Sequence, residues 1–111
     1  MHVVERDADI AVHEPGTHGG GGDTIGYSFF KDVPDLELVF RKRVFKPGSA
    51  IGYHLQPEDE IYYVFSGHGV MTIDGDSFEV GPGTAVLTRA GSSHGLEQTG
   101  SEDLVILINH R

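Results

Sequence analysis

The chain reads as an all-β domain, a small antiparallel β-barrel or jelly roll. Three observations predict it. Short β-prone segments recur at roughly 8–12-residue spacing between turn signals. No segment sustains a helical 3.6-residue period over three turns. Glycine is abundant, at 16 of 111 residues, and it clusters where tight turns are needed.

The elements follow in order. Residues 1–24 are weakly patterned and read as an N-terminal arm with one short strand. Gly19-Gly20-Gly21-Gly22 reads as a flexible hinge or loop, because each glycine loses much backbone freedom when ordered. His13 and His18 flank it and read as solvated loop residues. Residues 25–111 read as a single domain. Its strand candidates are 27–30, 36–45, 50–56, 60–65, 69–73, 77–80, 85–89, 94–98 and 104–109. Pro47-Gly48 carries a type II turn signal. Asp74-Gly75 is a strong hairpin dipeptide. Pro57-Glu58-Asp59 and Gly81-Pro82-Gly83 separate further strands.

Composition narrows the function. A chain of this length makes one domain with a real core. The formal net charge of −9 argues against nucleic acid and anionic membranes as partners. There is no cysteine, hence no disulfide framework and no thiolate metal site. Cytoplasm is the default expectation. No apolar run approaches the ~20 residues of a membrane span. The acidic N-terminus, with Glu5, Asp7 and Asp9, lacks the features of a signal peptide.

The chemistry concentrates between Gly48 and Gly67. Side chains alternate faces along a strand, so His54 and Gln56 point one way and Tyr53 and Leu55 the other. On the next strand Glu60, Tyr62 and Val64 share a face. A turn at Pro57-Glu58-Asp59 that pairs the two strands brings Glu60 close to His54 and Gln56. On a later strand His94, Leu96 and Gln98 share a face. Two imidazoles and a carboxylate on adjoining strands make the facial triad that holds one divalent transition metal with open positions. Gln56 adds an amide oxygen. Hydrogen-bonded core histidines are the plain alternative, but a buried Glu60 without a nearby cation would be costly or protonated.

These residues resemble the first motif of the cupin superfamily, G-x5-H-x-H-x3-E-x6-G, with Gly48, His54, Gln56, Glu60 and Gly67 at every spacing. The second motif, G-x5-P-x-G-x2-H-x3-N, is matched at Gly83, Gly91 and His94. The resemblance spans about residues 36–109. It implies a small antiparallel β-barrel with an internal metal (iron, manganese, nickel, zinc or copper), and a homodimer. Three positions depart from the pattern. Gln56 replaces the second histidine, which weakens the site for soft or borderline metals. Arg89 replaces the proline and Gln98 the asparagine.

Arg41-Lys42-Arg43 lies on the strand candidate 36–45. One register turns Arg41, Arg43 and Phe45 inward; the other turns Phe40, Lys42 and Val44 inward. Inward arginines would bind a carboxylate or phosphate in a fork. Arg41, Arg43 and Gln98 are therefore the substrate-binding candidates. Tyr62, on the face of Glu60, is the candidate proton donor, with Arg43 beside it as a catalytic candidate. The expected metal, one iron, manganese, nickel or zinc per chain, falls to His54, Gln56, Glu60 and His94.

Three functions fit this reading. The first is an enzyme whose metal acts as Lewis acid or oxygen-activating centre on a small anionic sugar acid or keto acid. Isomerase, lyase, cyclase and dioxygenase chemistry are the types the resemblance implies. The second is a non-catalytic metabolite-binding or sensory module. The third is a metal-free barrel serving assembly.

Overall fold

Ten antiparallel strands and one helical turn carry the chain; the computed structural model describes residues 1–111. The helical turn α1 (Asp7–Ile10) leads into β1 (Ala11–Pro15). There follow β2 (Asp23–Phe29), β3 (Val39–Phe45), β4 (Ala50–Leu55), β5 (Glu60–Ser66), β6 (Gly69–Ile73), β7 (Asp76–Val80), β8 (Ala85–Thr88), β9 (Ser93–Gln98) and β10 (Leu104–His110). They form a six-stranded sheet in the order β1-β2-β3-β10-β5-β8 and a four-stranded sheet in the order β4-β9-β6-β7. The expected all-β jelly roll is what forms. It is a sandwich of two sheets and not a closed barrel.

Alternation decides which side chains meet between the sheets. Glu60, Tyr62 and Val64 of β5 are buried, while Ile61, Tyr63 and Phe65 are exposed. Leu104, Ile106 and Ile108 of β10 face inward. Phe45, Ile51, Met71, Val80, Val86 and Leu96 complete the core. On β3 the inward register is Arg43 and Phe45, with Phe40 on the outer side.

Two segments differ from their expected form. Strand β3 begins at Val39 rather than residue 36, because the turn through Pro34-Asp35 ends with Asp35 at φ 61°. The glycine run is not a free hinge. Residues 16–22 lie along the outer edge of β4: Gly52 N–H donates to Thr17 O (2.9 Å) and Ala50 N–H to Gly21 O (3.2 Å). A loop this rich in glycine can approach that closely. A Cβ at Gly20 would meet Ala50 O at 2.0 Å, and one at Gly52 would meet His18 O at 1.9 Å.

Candidate functional site

Three cross-strand registers build one pocket between the sheets. His54 of β4 lies directly opposite His94 of β9. Glu60, the first residue of β5, sits between His110 of β10 and Thr88 of β8. Arg41 and Arg43 line the same pocket from β3, with Gln56 and Tyr62. The cavity is about 250 Å³, room for a small molecule only.

Local distortion aims the first histidine. The pairing of β4 with β9 shifts register between Ile51 and His54, a bulge of the kind that re-aims a side chain. Gly52 is inside it. The Nδ1 of His54 lies 2.7 Å from Gly52 O. A carbonyl only accepts, so Nδ1 carries the hydrogen and Nε2 keeps its lone pair. Backbone anchoring of this sort orients metal-binding histidines. His94 is fully buried, and its Nδ1 is 2.8 Å from Thr88 Oγ1. The two rings meet edge to face with centroids 4.8 Å apart.

The His94 Nε2 lies 3.4 Å from both Glu60 Oε1 and Tyr62 Oη. That is long for a charge-assisted hydrogen bond. Burial pushes the Glu60 carboxyl up, but the His94 ring, the Tyr62 hydroxyl and His110 together outweigh it and hold Glu60 below the usual carboxylate range. Tyr62 is pushed well above the usual phenol range by its burial and by the Glu60 charge beside it. It therefore stays a proton donor.

As the side chains stand, no group of three His, Asp or Glu residues closes on one point with ion-holding geometry. The donor chemistry nevertheless fits a divalent transition metal: an available imidazole Nε2 on His54, the His94 ring, a buried carboxylate held ionised, and the buried Gln56 amide in the same pocket.

The remaining candidates divide. Arg43 is buried, but its guanidinium donates to Thr24 Oγ1 (2.8 Å) and to Glu14 Oε1 (2.8 Å). Arg41 donates to His110 Nε2 at 3.0 Å. Gln98 is not brought to the pocket. Its Nε2 donates to Phe45 O (3.0 Å) and Glu102 O (2.6 Å), and its Oε1 accepts from Gly100 N–H (2.6 Å). Four residues along β9 from His94, it braces a turn rather than a ligand.

Two pocket residues escaped the sequence reading. His110 continues the inward alternation of Ile106 and Ile108, a signal lost by ending that strand at residue 109. His18 is not merely solvated: its ring lies flat on His54, centroids 3.5 Å apart and planes within 7°. Burial first, and then the neighbouring His54, hold His18 below the usual imidazole range.

Comparison with known proteins agrees with this architecture. A family model described as Cupin domain matches residues 42–109. The oxalate-binding protein of Thermotoga maritima is 37% identical over 109 residues, covering 95% of this chain and 90% of that protein. A crystal structure of a predicted oxalate decarboxylase from Thermotoga maritima superposes with a TM-score of 0.86 at 29% identity, covering 97% of each chain. The polyketide cyclase RemF of Streptomyces resistomycificus shares the fold, with a TM-score of 0.78 at 22% identity, over 99% of this chain and 79% of that one.

Proposed function

This chain belongs to the cupin family, and from that premise we propose that it binds a small carboxylate such as oxalate at one divalent transition metal. His54, His94 and Glu60 hold the ion, with Gln56 as a weaker fourth donor. When bound, the metal supplies a Lewis-acidic centre that a carboxylate can chelate. Arg41 meets the ligand's remaining charge. Arg43 stays in the wall as a structural ion pair, because Glu14 and Thr24 already occupy its fork and Glu14 offsets its charge. Tyr62 donates a hydrogen bond or a proton.

The observation that carries this reading is the register that sets His54 opposite His94 across β4 and β9, with ring centroids 4.8 Å apart and an ionised Glu60 3.4 Å from His94 Nε2. The anionic ligand is supported by Arg41 on the pocket wall and by the binding named for the Thermotoga maritima relative.

Elemental analysis of untagged protein, followed by calorimetric titration with oxalate, tests it. About one equivalent of metal is expected, lost in His54→Ala and in Glu60→Ala, together with oxalate binding. A full equivalent retained by either variant refutes the ligand assignment. Oxalate binding that survives complete chelation of the metal refutes the role of the ion.

One observation favours turnover over simple binding. The Tyr62 hydroxyl lies 3.4 Å from His94 Nε2, within reach of a ligand held at the donor set, which is the first requirement of a proton donor. Consumption of carboxylic acids, or oxygen uptake, across a panel with iron, manganese, nickel and zinc supplied in turn separates the two. Inactivity throughout, with thermal stabilisation by the ligand, assigns the chain to binding.

A further inference from the structure

The glycine run between β1 and β2 has no role in the donor set described above. Its sequence, Gly16-Thr17-His18-Gly19-Gly20-Gly21-Gly22, places one imidazole among glycines. The docking along β4 explains most of those glycines. A Cβ at Gly16 would meet Ala50 O at 1.9 Å, and one at Gly22 would meet Ser49 Cα at 2.5 Å. Gly19, Gly21 and Gly22 adopt φ near +75°, and His18 itself sits at φ 53°. Left-handed backbone is uncommon outside glycine, and histidine is among the few types enriched there. The loop is thus built to lie close to the strand, and it carries a single imidazole to the pocket.

The placement of that imidazole is specific. Thr17 and His18 both line the cavity with Arg41, Glu60 and His110. One face of His18 covers His54, while the residue stays open to solvent on its outer side. Parallel rings this close cannot both aim an in-plane lone pair at one ion, so His18 is placed for the ligand and not for the metal. His18 lines the pocket, and a neutral imidazole carries one N–H that it can offer to an occupant.

We infer that His18 is a ligand-contacting residue of this pocket, donating a hydrogen bond to a carboxylate oxygen of the bound anion, and that the glycine loop exists to deliver it. The inference rests on the proposed binding of a small carboxylate.

The test compares wild type with His18→Phe, His18→Ala and Gly20→Ala, each assayed for metal content and for oxalate affinity by calorimetry. Phenylalanine keeps the stacked ring and removes the N–H. His18→Phe and His18→Ala are each expected to weaken oxalate by about tenfold or more, the usual effect of losing a hydrogen bond to a charged group, with metal content unchanged. Gly20→Ala forces the loop off β4 and is expected to weaken oxalate as much as His18→Ala does. Wild-type affinity in His18→Phe overturns the hydrogen bond. Loss of metal in His18→Ala overturns it too, because His18 would then belong to the donor set. Wild-type affinity in Gly20→Ala overturns the role of the loop. If wild type binds no oxalate, the parent reading fails and this one with it; wild-type binding with unchanged variants sinks this one alone.

Discussion

At position 56 the chain has an amide where the motif it resembles has an imidazole. Gln56 is buried in the pocket, two residues from His54. A third imidazole there suits borderline ions better than an amide oxygen does. Gln56→His is expected to raise zinc affinity on the order of tenfold, read by competition with a chelator. Unchanged affinity would place residue 56 outside the ion's reach. Tyr62→Phe is expected to leave metal content intact, to weaken oxalate by about tenfold through the lost hydrogen bond, and to lower any turnover by about 100-fold. Much of this site was legible because its residues obey a two-residue period. That His54, Glu60, Tyr62 and His94 lie together between the sheets followed from alternation and the motif spacing together. His18 was not legible, because nothing local distinguishes a docked glycine loop from a free one; the difference lies in the edge of β4, some thirty residues away. Gln98 was legible as a same-face neighbour of His94, but its three hydrogen bonds depend on the turn after β9, which alternation does not describe.

Among elements, the turns do as much positioning as the strands. Asp74, in the β6–β7 turn, accepts from Ser93 N–H at 2.8 Å, and its own N–H donates to Ser93 O at 3.0 Å. This two-way clamp fixes the residue immediately before His94. Asp74→Ala is expected to weaken metal binding without unfolding the protein, seen as lower metal content at an unchanged circular dichroism spectrum. Asp59, in the turn between β4 and β5, accepts from Ala90 N–H (2.9 Å) and Arg89 Nε (3.0 Å). The Ala90 amide, then Arg89, hold its carboxyl below the usual range. A lowered folded-state value means stability that is present above the unfolded value and is lost as pH falls through the folded one. The acid limb of a Tm-against-pH curve should therefore flatten in Asp59→Asn. An identical limb would show the bridge to be immaterial, as exposed ion pairs often are. The bulge in β4 also belongs to this scale. Glycine inside a strand signals such a bulge, so Gly52 held the clue, though not the direction in which His54 would turn.

For the molecule as a whole, the core between the sheets sets stability independently of the pocket. Ile106 is fully buried at its centre. Ile106→Ala is expected to cost about 2–5 kcal/mol, measured by urea denaturation of the metal-free protein. A loss below 1 kcal/mol, on the order of a surface substitution, would mean that the sheets close over the gap. The two-sheet division was less legible than the strands, because alternation gives the inward face without saying which strands share a sheet. The homodimer that the family resemblance implies is tested by light scattering; a monomer defeats it. The docked glycine segment has one more effect, separate from any ligand. It covers the free edge of β4, the outermost strand of its sheet. Uncovered edges recruit other chains into extended pairing. A version trimmed before residue 23 would expose that rim and, with β1 gone, the edge of β2 as well, and its first symptom would be precipitation at protein concentrations the intact chain tolerates.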